Sequence, residues 1–218
     1  MEKAKSLQGL EGSERVKAIV ERFGDKDSFL MKSNPEMQCS FSDRERAVFG
    51  EYPTVKDVNL AYGKDVAKYW LYSHVADLAI YTGADNMTKN QIAELASVIA
   101  TECQDLKVSE ILHFFYCLKS GRLRAASENK SPMSVIVNLR SFLSERNALI
   151  WRRETDLVRQ FFLNMKKVYL IAGDQPKTKV YARVFRKKEK AEKALEERDN
   201  ITGERLYPNC HIIERTIE

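Results

Sequence analysis

Residues 106–121 read LKVSEILHFFYCLKSG, and this stretch decides the fold class. Its apolar side chains recur at the i, i+3, i+4 and i+7 spacing of an amphipathic helix, as in Ile111, Leu112, Phe115 and Leu118. Gly121 follows as a helix stop. A half-buried β-strand would alternate apolar and polar residues, and these residues do not alternate. The stretch therefore predicts a helix over residues 107–119.

Helical spacing also extends upstream of this stretch. Ser13 and Gly24 bracket one predicted helix, and the T-x-x-D and T-x-x-Q patterns at Thr54 and Thr88 predict the starts of two more. A longer helix is predicted over residues 64–82. Residues 25–52 show no period, so we expect an irregular connection there, with one helical turn near residues 43–49.

The period of the apolar residues changes downstream. Ser131-Pro132 is a favoured helix start, and the helix either continues to about residue 164 or breaks near Asn147. After residue 165, VYLIAG and KVYARVF are rich in β-branched and aromatic residues, RKKEKAEKALEERDN is helical, and CHIIERTIE is strand-like. The order of these segments predicts a small β-β-α-β unit.

These patterns give one expected fold class. It is mainly α, with a helical bundle-like N-terminal domain followed by a small β-β-α-β C-terminal module. We expect an N-terminal helix and irregular segment over residues 1–53, a helical domain over 54–164 and the module over 165–218. A module of this size is marginal for independent folding, so it should pack on another surface.

Composition excludes several classes of protein. The chain has 218 residues, 44% of them hydrophobic and 31% charged, which is enough apolar surface for a packed core. We expect no transmembrane segment and no secretory signal, because no apolar run is long enough and the first residues lack an apolar core. Four cysteines are too few for a disulfide scaffold, so we expect reduced thiols and a cytoplasmic protein.

The charge is unevenly distributed along the chain. The net charge is +5 overall, with −4 over residues 1–106, +5 over residues 107–160 and +4 over residues 161–218. An acidic half joined to a basic half favours contact of the basic half with a polyanion.

Catalytic and metal-binding motifs are not evident in the sequence. His113 and Cys117 form the one local pair at i, i+4 spacing, in an apolar helix that predicts a half-buried histidine and a core cysteine. The sequence contains neither a P-loop pattern nor a dinucleotide fingerprint. We therefore expect no metal, no cofactor and no enzyme activity. The alternative left open is an enzyme whose active-site residues are dispersed along the chain, because an active site needs no local motif.

A basic group lies in and beside the loop that precedes Ser131. We predict a nucleic-acid site, for DNA or RNA, because Arg and Lys supply most phosphate contacts and a helix start adds free N–H donors. The alternative is a solvated polar loop without a ligand. The predicted site residues are Lys119, Arg122, Arg124, Lys130, Arg140, Arg146, Arg152 and Arg153.

LKVSEILHFFYCLKSGR, followed by SPMSVIVNLRSFLSERN, resembles an uncharacterised family of small proteins from phages, integrative elements and chromosomes of gut anaerobes. The similarity covers about residues 54–147. Members of that family carry an aromatic-Gly pair where this chain has Arg122-Leu123-Arg124-Ala125, and Asp where it has Ser131. The genomic context in which members of this family occur implies a role in replication or another DNA transaction. The matching residues are Leu106, Lys107, Val108, Ser109, Glu110, Phe114, Phe115, Lys119, Ser120, Gly121, Pro132, Phe142, Glu145 and Arg146.

Two functions are consistent with these features. The first is a non-enzymatic accessory protein that contacts nucleic acid or a nucleoprotein complex in mobile-element or phage DNA replication. The alternative is a protein-interaction adaptor that binds an acidic protein partner. Both functions require a basic patch, so the sequence alone does not separate them.

Overall fold

The structure is a computed structural model, and it describes residues 7, 9–84, 87–123, 131–163, 167–173, 184–198 and 210–216. The chain divides into two compact units, Met1–Asn147 and Ala148–Glu218. The division falls inside a long helix, whereas the sequence predicted a partition at residue 164, where that helix ends. No helix within the described ranges is long and apolar enough to cross a membrane.

Helices account for nearly all of the regular structure that is described in the first unit. Two of them are short, and a 3₁₀ helix lies between them. The elements are α1 (Gly12–Phe23), α2 (Lys26–Lys32), the 3₁₀ helix (Pro35–Phe41), α3 (Arg44–Phe49), α4 (Val55–Tyr62), α5 (Val66–Thr82), α6 (Lys89–Glu102), α7 (Val108–Lys119) and α8 (Pro132–Leu163).

Local caps explain where several of these helices begin. The Thr54 hydroxyl accepts a hydrogen bond from the Asp57 N–H at 3.1 Å, and the Asp57 carboxylate accepts one from the Thr54 N–H at 2.8 Å. This reciprocal pair satisfies two of the N–H groups that a helix start leaves free. Thr88 and Gln91 form the second predicted capping box. At the start of α8, the Ser131 hydroxyl accepts from the Ser134 N–H at 3.2 Å.

The prediction of an irregular segment over residues 25–52 is wrong for most of its length. Besides the expected turn at α3, the segment forms α2 and the 3₁₀ helix. Phe29 and Phe41 are 1% and 7% exposed, so each short element is held by burial of an aromatic ring. Helices of six to eight residues are too short to show a period, and their stability comes from tertiary packing.

The core of the first unit surrounds α7. Ten of its twelve residues are buried, which exceeds the one-sided burial that the apolar spacing predicted. One buried cluster joins side chains from α5, α6, α7 and α8, among them Trp70, Ile99, Leu112, Phe115, Leu139 and Phe142. The helix is therefore enclosed on nearly all sides by its neighbours.

The second unit contains the end of α8 and the C-terminal module. The chain follows the predicted order with β1 (Lys167–Gly173), β2 (Val184–Phe185), α9 (Lys188–Leu195) and β3 (Cys210–Thr216). The sheet order is β2-β1-β3, and both pairs of strands are antiparallel, with Tyr169 opposite Phe185 and Ile171 opposite Ile212. The side chains of Ile171, Ala191 and Ala194 are buried. The mainly α fold with a β-β-α-β module is confirmed.

Of the two alternatives for residues 132–164, the structure has the continuous helix. No break occurs at Asn147, and α8 runs for 32 residues. Its first half is buried at Val135, Leu139 and Phe142, whereas the side chains of residues 151–160 are all exposed.

Candidate nucleic-acid interface

Arg146, a predicted phosphate contact, is part of a buried ion pair. Its Nε donates to Glu110 Oε1 at 2.5 Å, and the Glu110 side chain is completely buried. The other carboxylate oxygen of Glu110 accepts from the Lys107 N–H at 2.8 Å, which makes the pair part of the start of α7. Arg146 therefore neutralises a buried charge and is not placed to bind a ligand.

Lys119 is engaged in a similar way at the end of α7. Its Nζ forms an ion pair with Asp77 of α5 and lies 5.4 Å from the ring centroid of Tyr81. The lysine side chain is only 19% exposed. Lys119 therefore joins two helices of the fold, and its charge is balanced locally.

Arg122 is exposed and held in position. Gly121, with a φ of 73°, takes the left-handed conformation that ends α7 and turns the chain toward Arg122. The guanidinium lies 5.1 Å from the Tyr116 ring centroid, and Nη1 donates to the Ser42 carbonyl at 3.2 Å. Because a guanidinium has five N–H donors, most of them remain for another acceptor.

Arg122 shares a small pocket with a second arginine, Arg44 of α3. The pocket has a volume of about 160 Å³. Arg44 Nη2 lies 3.4 Å from Glu145 Oε2 in an ion pair whose two side chains are 38% and 58% exposed. Such a pair is weak because water screens it. The pocket is lined by Arg44, His113, Cys117, Arg122, Leu123, Phe142 and Glu145.

His113 and Cys117 form the inner wall of this pocket. His113 Nδ1 lies 2.6 Å from the Phe41 carbonyl and donates to it, so Nε2 is the acceptor that faces the Cys117 sulfur at 3.5 Å. Burial lowers the pKa of His113 and raises the pKa of the Cys117 thiol to about 11. At neutral pH the pair is an uncharged imidazole and a protonated thiol, which is not the state of a cysteine nucleophile.

The structure corrects the expected burial of His113. The sequence predicted a half-buried side chain. The residue is 2% exposed because the Phe41 carbonyl and the Phe142 ring lie against it. Within the described ranges, no group of three or more His, Cys, Asp or Glu residues could hold a metal ion.

The remaining predicted residues are distributed over both units. Arg140 is exposed on α8 in the first unit, and Arg152 and Arg153 are exposed on α8 in the second unit. Arg124 and Lys130 lie outside the described residues. In the first unit, the structure therefore brings Arg122 together with Arg44. Arg44 was not among the predicted site residues, because it lies in a segment whose sequence shows no periodicity.

The exposed half of α8 carries large apolar side chains. Trp151 is 67% exposed, Leu157 is 57% exposed and Val158 is 55% exposed. Trp151 and Val158 are seven residues apart and lie on one face of the helix. Arg152 and Arg159 have the same spacing and form a parallel basic row.

The chain matches no protein-family model, no curated protein and no solved structure. The similarity to small proteins of phages and integrative elements stays a prediction.

Proposed function

We propose that the protein is a non-enzymatic accessory protein that contacts the phosphate backbone of DNA or RNA. The observation that supports this function is that Arg44 and Arg122 line one pocket. Arginine presents donors in a planar fork that matches two oxygens of a phosphate.

The dimensions of the pocket favour a phosphate group of a larger ligand. Its volume of about 160 Å³ is well below the roughly 300–1,000 Å³ of pockets that enclose whole small molecules. A phosphate entering the rim would compete with Glu145 for Arg44. Because the Arg44–Glu145 pair is exposed, this exchange costs little.

The expected affinity is low, because several predicted contacts belong to the fold. Lys119 and Arg146 are occupied by Asp77 and Glu110. A protein with few phosphate contacts binds nucleic acid without sequence preference, with a Kd of about 10⁻⁴–10⁻⁶ M at physiological salt. A role in mobile-element or phage DNA replication is the process that the sequence resemblance favours.

Fluorescence anisotropy with labelled random-sequence duplex DNA across a salt series tests this proposal. Arg122→Ala should flatten the slope of log K against log salt by about 0.9, and Arg122→Ala with Arg44→Ala by about 1.8, because each lost phosphate contact releases fewer counterions. Glu145→Gln should strengthen binding, because it removes the carboxylate that competes for Arg44. Lys64→Ala, a charge loss at an exposed loop position, is the matched control.

Two results would contradict the proposal. One is an absence of binding by the wild-type protein at low salt. The other is a salt slope that Lys64→Ala reduces as much as Arg122→Ala does.

A second candidate function has its own observation. We infer, as the alternative, that the protein is a protein-interaction adaptor. In this function the exposed half of α8, residues 151–160, binds an acidic amphipathic helix of the partner. The row of Trp151 and Val158 would contact the apolar face of that helix, and the row of Arg152 and Arg159 would face its carboxylates. Charge complementarity selects an acidic partner over a basic one.

A synthetic acidic amphipathic peptide tests the adaptor function. The chain has two tryptophans, of which Trp70 is 1% exposed and Trp151 is 67% exposed, so a blue shift on adding peptide would report burial of Trp151. Val158→Ser should weaken peptide binding, and Met133→Ser, also at an exposed apolar position of α8, should not. An unchanged emission spectrum at saturating peptide would count against the adaptor.

A further inference from the structure

An aromatic cavity in the first unit is separate from the Arg44–Arg122 pocket, and the two share no lining residue. Its volume of about 410 Å³ falls in the range of pockets that enclose a small molecule. Residues from α1, α2, the 3₁₀ helix, α3 and α7 contribute to it.

Four aromatic rings form the apolar part of this cavity. All four line it: Phe29 and Phe41 are buried, and Phe23 and Tyr52 are half-buried. The Tyr52 ring centroid lies 5.3 Å from that of Phe41 and 6.2 Å from that of Phe23, and Phe23 lies 6.5 Å from Phe29. At these separations the four rings contact one another and form a continuous aromatic surface. Such a surface beside an open volume favours a flat ring as the body of the ligand, because a flat ring can lie against it.

The charged lining of the cavity is cationic. Arg22 lies 5.6 Å from the Phe23 ring centroid and 6.0 Å from that of Tyr52, and it pairs with Glu51 at 3.3 Å. Lys32 donates to the Phe23 carbonyl at 3.1 Å, which uses one of its three N–H donors, and Arg46 is exposed. Among the described residues, no aspartate or glutamate lines the cavity. Arg22 is balanced in part by Glu51, so Lys32 and Arg46 supply most of the positive charge beside the aromatic lining.

We propose that this cavity binds a nucleobase that carries a phosphate. The base would occupy the aromatic interior, the phosphate would meet Arg46 and Lys32, and the Ser40 hydroxyl would be a hydrogen-bond partner for the sugar or the base edge. Stacking and cationic contacts are the two means by which proteins hold unpaired nucleotides. The same chemistry is presented by a free mononucleotide and by one nucleotide of a single strand.

The aromatic lining favours binding of a nucleotide over binding of other amphipathic anions. A fatty acid has no flat ring to stack on Phe23 or Tyr52, and ribose 5-phosphate lacks the base altogether. An organic cation would be repelled by Arg22, Lys32 and Arg46.

Isothermal titration calorimetry of the full chain with AMP tests the proposal, with adenosine, ribose 5-phosphate and octanoate as comparison ligands. AMP should bind at least about tenfold more tightly than each of the other three, because it alone combines the base and the phosphate. Ser40→Trp should abolish AMP binding by filling the cavity from an exposed position. Arg46→Gln should weaken it about fivefold, and Lys64→Gln should leave it unchanged.

An oligodeoxyadenylate single strand distinguishes the two sources of the nucleotide. If Ser40→Trp also weakens binding of the strand, the cavity accepts a nucleotide of nucleic acid. If Ser40→Trp removes AMP binding only, the ligand is a free nucleotide. Arg122→Ala should not change AMP binding, so failure of the cavity and failure of the Arg44–Arg122 pocket are distinguishable.

Three results would overturn the proposal. They are the absence of AMP binding, AMP binding that Ser40→Trp leaves intact in a protein with wild-type circular dichroism, and equal or tighter binding of octanoate or ribose 5-phosphate.

Discussion

At the scale of single residues, His74 shows how burial sets the state of a titratable group. The ring is completely buried and lies between Trp70 and Phe115, with centroid distances of 4.9 Å and 5.4 Å. Its Nε2 lies 2.9 Å from the Ser33 carbonyl and donates to it, so Nδ1 accepts from the Gln38 amide at 2.8 Å. Burial lowers the pKa of His74 to about 4, although the bond to Ser33 acts in the opposite direction.

This pKa predicts how stability depends on pH. The unfolded chain binds a proton at His74 near pH 6.5, and the folded chain binds it only near pH 4, so acidification favours unfolding between these values. We expect the free energy of unfolding to fall by about 2 kcal/mol from pH 7 to pH 5 on account of this residue. Urea denaturation at the two pH values measures the loss.

His74→Gln is the variant that isolates this effect. Glutamine keeps a donor for Ser33 and does not titrate. His113 has its pKa lowered in the same direction and remains in the variant, so the difference between the two proteins reports His74 alone. An equal loss of stability in both proteins would show that His74 does not contribute.

At the scale of elements, α7 and α8 differ in how their helical structure is supported. Ten of twelve residues of α7 are buried, and its backbone hydrogen bonds are shielded from water. The side chains of residues 151–160 of α8 are all exposed, so the backbone hydrogen bonds of this segment are more open to water. Most helical stability in proteins comes from packing of a buried face, so an exposed helical segment is less stabilised than a buried one.

Hydrogen exchange should report this difference directly. The amides of residues 151–160 should exchange much faster than those of residues 111–118, because a locally supported helix opens without unfolding the core. Exchange followed by mass spectrometry of peptides from the intact protein measures both segments together. Equal protection of both segments would mean that the exposed half of α8 is covered in solution, by a partner or by a second copy of the chain.

At the scale of the molecule, several charges of the first unit serve to join helices that are distant in the sequence. Arg15 donates to the Asp57 carboxylate at 2.6 Å between α1 and α4, and Arg146 joins α8 to Glu110 of α7. The excess of basic residues after residue 107 is therefore not all available to a ligand. Part of it balances acidic residues that come earlier in the chain.

The Glu110–Arg146 pair gives a test of this role. Arg146→Met should lower the free energy of unfolding by about 3 kcal/mol, because it leaves a carboxylate buried without its countercharge. Adding Glu110→Gln should recover part of that loss, because an uncharged amide costs less to bury. Chemical denaturation of the two variants measures both changes.

Arg140→Met provides the control for this pair, since Arg140 is on the same helix and exposed. Its effect should stay within about 0.5 kcal/mol. A loss for Arg146→Met no larger than that of Arg140→Met would mean that the ion pair does not stabilise the fold.

Much of the fold was predictable because its causes are local. The capping box of Thr54 and Asp57 spans three residues, and the change of period near residue 165 can be read from neighbouring side chains. The short elements between residues 26 and 49 were not predictable over most of their length. Their stability depends on where Phe29 and Phe41 are buried, which no local pattern records.

The candidate site likewise has features that local sequence predicts and features that only packing determines. The sequence by itself determined the mainly α fold, the C-terminal module and the exposed Arg122 after a helix stop. Only the tertiary structure decided that Arg146 belongs to Glu110 and that Arg122 shares a pocket with Arg44. The physical reason is range: caps and periodicity act over a few residues, whereas a charge finds its partner through space once the chain has packed.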